Sequence, residues 1–265
     1  MKNVIILFLF AGLLWACTQE QKTADVSEEK APGNPAAEGF NLEGSDSQAI
    51  EIADEVMSAM GGRATWDSTR YMAWNFFGVR DLLWDKLEGK VRIESPRDSS
   101  IYLVNVFDNT GQVMRRGQIL ENPDSVSKYV NIGKSIWIND SYWLVMPFKL
   151  KDSGVTLKYN GEGNTLEGKP SHILELTFNA VGDTPDNKYE VFVDKEDNLV
   201  KQWSFYRSAE QDSASAIWPW DNYQDFKGIK LSGDRSDGKG PKNVKVLADV
   251  PEEAFTSFDP ISLGN

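Results

Sequence analysis

Hydrophobic and polar positions follow three different patterns along this chain. From Val4 to Trp15 the residues are apolar without interruption, between Lys2 and the pair Ala16-Cys17. That run is shorter than the about 20 residues a membrane-spanning helix needs, and it has the charged start, apolar middle and small-residue end of a cleaved export signal. From Thr18 to about Ser45 Glu, Lys, Pro, Ala, Gly and Ser dominate. Such a composition buries too little surface to offset chain entropy and predicts a flexible tether. Between Ser47 and Met60 the apolar residues Ile50, Ala53, Met57 and Met60 recur at helical spacing, with Val56 beside them. Ser45 or Asp46 stands ready to cap an amphipathic helix there, and Gly61-Gly62 ends it.

Beyond that helix the chain breaks into short runs rich in aromatic and β-branched residues. They are Tyr71 to Val79, Lys90 to Glu94, Ile101 to Phe107, Gln112 to Gly117, Ser135 to Ile138, Tyr142 to Leu150, Val155 to Tyr159, His172 to Asn179, Lys188 to Asp194, Leu199 to Tyr206 and Phe226 to Ser232. Turn signals separate them at Asp108 to Gly111, Gly161 to Asn164 and Asp194 to Asn198. Helical patterns do not alternate with these runs, so the expected class is mainly β: one large antiparallel sheet of about 11 strands. Twist accumulates over so many strands until the sheet curls, which predicts a half-barrel with the N-terminal helix across its mouth. Along Tyr71 to Phe77 the alternation sets Met72, Trp74 and Phe76 on one face and Tyr71, Ala73, Asn75 and Phe77 on the other. Both faces are largely apolar, so both should be covered.

Composition narrows the partners. With 28 Lys and Arg against 40 Asp and Glu, the net charge of −12 argues against nucleic acid and against anionic lipid headgroups, both of which are bound through basic patches. The one cysteine, Cys17, precludes an intramolecular disulfide and any Cys-based metal site, and the one histidine, His172, offers no triad motif. Neither a metal nor a cofactor is expected. Asp81, Asp85, Glu88 and Glu94 lie close enough in sequence to suggest a hydrolytic carboxylate pair. An acidic chain produces such clusters by chance, however, and no nucleophile elbow, HExxH or phosphate loop accompanies them, so an enzyme is not expected. Asp124-Ser125-Val126 and Asp212-Ser213-Ala214 look like short bacterial O-glycosylation signals, a pattern cheap in so Asp- and Ser-rich a chain. The nine Trp residues are first of all core-fillers. Some of them, with neighbouring Phe, are candidates to line a pocket: Trp74, Phe76, Trp143, Phe148 and Trp203.

Leu14-Trp15-Ala16-Cys17 resembles the bacterial lipobox, which implies diacylation of Cys17; Trp15 departs from the usual small or β-branched residue. Further on, Asp140 to Leu144, Met146 to Leu150, Gly154-Val155, Leu176 to Phe178, Val181 to Pro185, Asn187 to Tyr189 and Trp218 to Trp220 resemble an uncharacterised family of envelope lipoproteins with a LolA/LolB-like half-barrel architecture. The resemblance implies a cavity that shields an apolar chain and supplies no catalytic residue. In the carriers an Arg on a strand controls ligand release, a part that falls here to Arg80 or Arg92.

The expected organisation is a signal peptide over residues 1–16, a lipidated Cys17 and tether over 17–45, and a single domain over 46–265. The expected function is a lipid-anchored envelope lipoprotein, held by the lipid on Cys17, that binds an acyl chain, lipid or lipoprotein in its cavity. The residue after Cys17 is Thr18, not Asp, the pattern of lipoproteins sent to the outer membrane, at its periplasmic face or its surface. Two alternatives stand beside it: a structural or interaction domain with a self-filled core, and a glycan-binding or glycan-cleaving module using Trp218 and Trp220.

Overall fold

The computed structural model describes residues 33–179 and 182–263. Cys17, the expected signal peptide and most of the expected tether lie outside the described residues.

The first helix forms where the periodicity puts it: α1 (Ser47–Ala59) buries Ala49, Ile52, Ala53, Val56 and Met57 along one stripe. Asp46 precedes it, but its carboxylate makes no cap bond. It reaches across to a strand instead, accepting from the backbone N–H of Tyr159 and from Lys158 Nζ, both at 3.0 Å. The segment ahead of α1 follows the same strand, with Asn41 N–H donating to the Val155 carbonyl and Asp46 N–H to that of Leu157. A short helix, α2 (Arg63–Ser68), follows.

Fourteen strands follow among the described residues, every ladder antiparallel. The first meander comprises β1 (Tyr71–Phe76), β2 (Arg80–Asp85), β3 (Lys90–Ser95), β4 (Ser100–Asn105), β5 (Thr110–Arg115) and β6 (Gln118–Ile119). The second comprises β7 (Val155–Asn164), β8 (Pro170–Phe178), β9 (Lys188–Asp194), β10 (Val200–Tyr206) and β11 (Ala216–Pro219). A hairpin of β12 (Asp221–Phe226) and β13 (Ile229–Asp234) leads to β14 (Pro241–Leu247), which returns to pair with β1. The mainly β, antiparallel class is as expected, and no barrel closes. The hydrogen bonding divides it into sheets of seven, five and two strands, where the sequence suggested one continuous sheet of about 11.

The division has a local cause. Between the two meanders the chain forms a 23-residue helix, α3 (Pro123–Val145), where Ser135 to Ile138 and the start of Tyr142 to Leu150 read as strands. Asn122 caps it by accepting from the Ser125 N–H at 3.0 Å, and Pro123 sits in the first turn, where its missing N–H costs nothing. A 3-10 turn over Met146–Lys149 completes the connection. A second departure is at Gly161 to Asn164, which continues β7 past an irregularity between Tyr159 and Glu162.

One hydrophobic core joins α1, α3 and the inner faces of both large sheets, from Met72, Trp74 and Ile93 to Leu157, Val191 and Trp203. Gly133 lets α3 approach the sheet closely: a Cβ there would stand 3.0 Å from Val104 and 3.3 Å from Tyr102. On the outer face Tyr71, Ala73 and Leu83 are covered by Val250, Ala254 and Phe255, the last two on α4 (Glu253–Thr256). β1 is thus buried on both sides, as its alternation predicts.

Candidate functional site

The β1–β2 hairpin tip is built by Asn75, whose Oδ1 accepts from Gly78 N–H at 2.6 Å while its Nδ2 donates to Asp81. This tight turn holds Phe77 in the left-handed region (φ 50°) and aims the tip at the C-terminal half of α3. Phe76 and Phe77 lie 4.8 Å apart by ring centres, Phe77 meets Trp143 edge-on at 5.2 Å, and Trp143 meets Trp203 at 4.6 Å. Strand register continues the row, because Trp203 on β10 pairs directly with Trp218 on β11. Tyr142, Tyr189 and Trp220 pack around Trp203. The result is a lane of rings running from the hairpin tip into the space between the sheets.

Of the five aromatic candidates, the structure joins Phe76, Trp143 and Trp203 through Phe77. Trp74 is buried in the same core on β1. Phe148 stands apart, stacked on Trp66 at 4.3 Å. Trp220 is fully buried, so it and Trp218 do not form the exposed pair a glycan platform needs.

Beside the lane an open groove of about 420 Å³ runs along α3, walled by Ile132 and Ile136 with Asn131, Ser135 and Asn139. Arg80 and Asp140 close one end. Arg80 Nε and Nη2 each donate at 2.8 Å to the two oxygens of Asp140, which is fully buried, and the guanidinium also lies 5.1 Å from the Phe76 ring centre. Burial raises the Asp140 carboxyl above the usual range, against the pull of Arg80's hydrogen bonds. A bidentate pair of this kind fixes the hairpin tip to the helix. The Tyr142 hydroxyl behind it is pushed well above its ordinary value, first by burial and then by the neighbouring Tyr189.

Arg92, the other strand arginine, has a different position. It is buried on the outer face and donates to the carbonyls of Ala254, Ser257 and Asp259, pinning the C-terminal segment. The four carboxylates considered for hydrolysis are all engaged: Asp85 and Glu88 with Arg70, Glu94 with Arg92, and Asp81 with Asn75. His172 Nδ1 lies 3.1 Å from the Tyr159 hydroxyl, a structural contact between β8 and β7. A second depression, of about 380 Å³, is lined by Lys169, Lys201, Lys230, Asp197, Asp221 and other polar groups, a lining suited to a polar ligand and not to an acyl chain. Ile132, Ile136 and Asp140 are the site residues that strand reasoning missed; their spacing of four on a helix was the available signal.

No family model and no curated protein matches the chain. Among solved structures it is similar to a DUF1329 family protein from Desulfovibrio piger, at 14% identity and a TM-score of 0.43, over 78% of this chain and 96% of that one. It is also similar to a putative outer membrane lipoprotein-sorting protein domain from Vibrio parahaemolyticus, at 10% identity and a TM-score of 0.41, over 79% and 96%. A LolA superfamily protein from Nitrosomonas europaea gives 11% identity and a TM-score of 0.34 over 78% and 97%.

Proposed function

We propose that this chain is a lipid-anchored, non-catalytic protein of the cell envelope, held at the outer membrane through Cys17, whose domain takes up an acyl chain or lipid beneath and beside α3. The observation that carries the reading is the groove of about 420 Å³ along α3, walled by Ile132 and Ile136 and closed at one end by the Arg80–Asp140 pair, with the Arg80 guanidinium over the Phe76 ring of the aromatic lane. Its volume lies within the range of small-molecule sites. An acyl chain burying about 12 CH₂ groups at ~0.8 kcal/mol each gains about 10 kcal/mol before the cost of association. With that cost at the low end of its range, about 4 kcal/mol, a dissociation constant of roughly tens of micromolar remains. Arg80 and Asp140 would release the hairpin tip from α3 when a chain enters.

The test is titration of a fluorescent fatty acid into the domain. Saturable binding is expected, weakened at least tenfold by Trp143→Glu and unchanged by Lys195→Glu on the surface. Absence of saturable binding to the unaltered domain overturns the reading. A second reading has its own support: Trp74, Trp203 and Trp220 are each at most 2% exposed, so the protein's own rings fill the space between the sheets. An interaction domain with a self-filled core would bind no acyl chain and would present the groove to a protein segment.

A further inference from the structure

The depression of about 380 Å³ lies where three connections meet. The β7–β8 turn supplies Lys169, the β9–β10 turn Asp197 and Leu199, and the β12–β13 hairpin Asp221 to Asp225 and Lys230, with Lys201 from β10 beside them. Tyr223 seats the hairpin on β10, its hydroxyl donating to the Val200 carbonyl at 2.8 Å. The lining carries three ammonium groups, Lys169, Lys201 and Lys230, and three carboxylates, Asp197, Asp221 and Asp225.

The fold itself answers half of these charges. Asp197 accepts from Lys201 Nζ at 2.5 Å and from the Leu199 N–H at 3.0 Å, and the same ammonium lies 5.5 Å from the Tyr223 ring centre. Asp225 stands opposite Lys230 in the β12–β13 ladder, but its Oδ1 accepts from the Gly228 N–H at 2.9 Å and closes the turn instead of pairing with that lysine. Among the described residues the side chains of Lys169, Lys230 and Asp221 make no hydrogen bond or ion pair. Asp221 does feel charges farther off: Glu167 and Asp234 of its own sign, and Lys169, Lys201 and the buried Arg235 of the opposite sign. Burial first, then Glu167, raises its carboxyl above the ordinary range, and a cation brought against it would favour the ionised form again.

The pattern of unanswered charge selects the ligand. Leu199 and Tyr223 are the apolar members of the lining, too few to hold an acyl chain. A ligand of one sign gains from one half of the lining what it loses to the other. A neutral polyol leaves the charges themselves unanswered. A ligand with both signs is attracted at both ends, through hydrogen bonds that charge makes roughly twice as strong. Two ammonium groups and one carboxylate remain to be met, and their complement is one cationic group joined to an oxyanion of more than one negative charge. A phosphate monoester, with about −1.5 to −2 at neutral pH, is such an oxyanion.

We propose that this depression is a binding site for a phosphorylated amino alcohol, a phosphate and a primary ammonium on one short carbon frame, with the phosphate held by Lys169 and Lys230 and the ammonium by Asp221. It is separate from the groove along α3 and does not depend on the acyl-chain reading.

Calorimetric titration of the purified protein at neutral pH tests it with O-phosphoethanolamine, methyl phosphate, ethanolamine and glucose. Phosphoethanolamine is expected to bind saturably and at least tenfold more tightly than each of the other three. Asp221→Asn should erase its advantage over methyl phosphate, and Lys230→Gln, an exposed change that leaves the fold intact, should weaken it at least threefold. Glycerophosphoethanolamine then separates two sources of the same chemistry: binding as tight as the monoester identifies a lipid head group, and binding tenfold weaker identifies a soluble amino-phosphate. Either result upholds the site. Methyl phosphate, ethanolamine or glucose binding as tightly as phosphoethanolamine, an affinity untouched by Lys230→Gln, or no saturable binding at millimolar concentration overturns it.

Discussion

Two acidic residues, Asp140 and Asp46, behave oppositely because their surroundings differ. Asp140 is fully buried and answered by both arms of Arg80, so removing the arginine strands a carboxylate. Arg80→Met is expected to cost about 3–5 kcal/mol by denaturant unfolding at neutral pH, and less in acid, where the carboxyl, already raised, takes up a proton. Arg80→Met combined with Asp140→Leu should recover most of the loss. Asp46 is partly exposed and held below its ordinary 3.8, first by the Tyr159 N–H and then by Lys158. Its folded state therefore favours the ionised form. The stability it contributes is present above pH 3.8 and is lost as the pH falls through the lowered value. The stability difference between the native chain and Asp46→Asn, followed by urea unfolding across pH, should favour the native chain at neutral pH and shrink below 3.8.

At the scale of elements, α1, most strands and the two-sided burial of β1 were legible because each shows one clean period. The helix α3 was not, although Val126, Val130, Gly133, Trp137, Ser141 and Leu144 recur at helical spacing through it. Its clusters Ser-Ile-Trp-Ile and Tyr-Trp-Leu-Val are β-rich in composition, and composition outweighed period. The strands β2, β6, β11, β12 and β14 were missed for other reasons: charged residues in β2, β12 and β14 made them look like loops, and β6 and β11 are too short to show a period. Arg235 gave no signal at all, since Asp234-Arg235-Ser236 reads as a solvated turn until β13 is tucked under the end of α3. Phe76, Trp143 and Trp203 were legible only as aromatics; their union depends on the bend at Phe77 and on the β10–β11 register. The same closeness yields a test of α3's seat. Gly133→Leu would drive a side chain into Tyr102 and Val104, and thermal unfolding should report a loss of about 1–3 kcal/mol. Retention of full stability would show that α3 does not press on β4 there.

For the molecule as a whole, two open sheets share one core, a helix lies over their inner faces, and α4 seals the outside of β1 and β2. On the reading proposed above, an apolar chain would enter between the hairpin tip and α3, where the groove lies. The anchor is a separate matter of the N-terminal segment: Cys17→Ser should abolish incorporation of labelled fatty acid in cells, and label persisting in that variant would contradict lipidation at Cys17. The central claim, uptake of an apolar chain by the domain, is met most directly by native mass spectrometry of the soluble domain purified from its own cells. The account predicts one acyl-bearing adduct per domain, lost in Trp143→Glu. A bare mass alone, unchanged after incubation with saturating fatty acid, would contradict it.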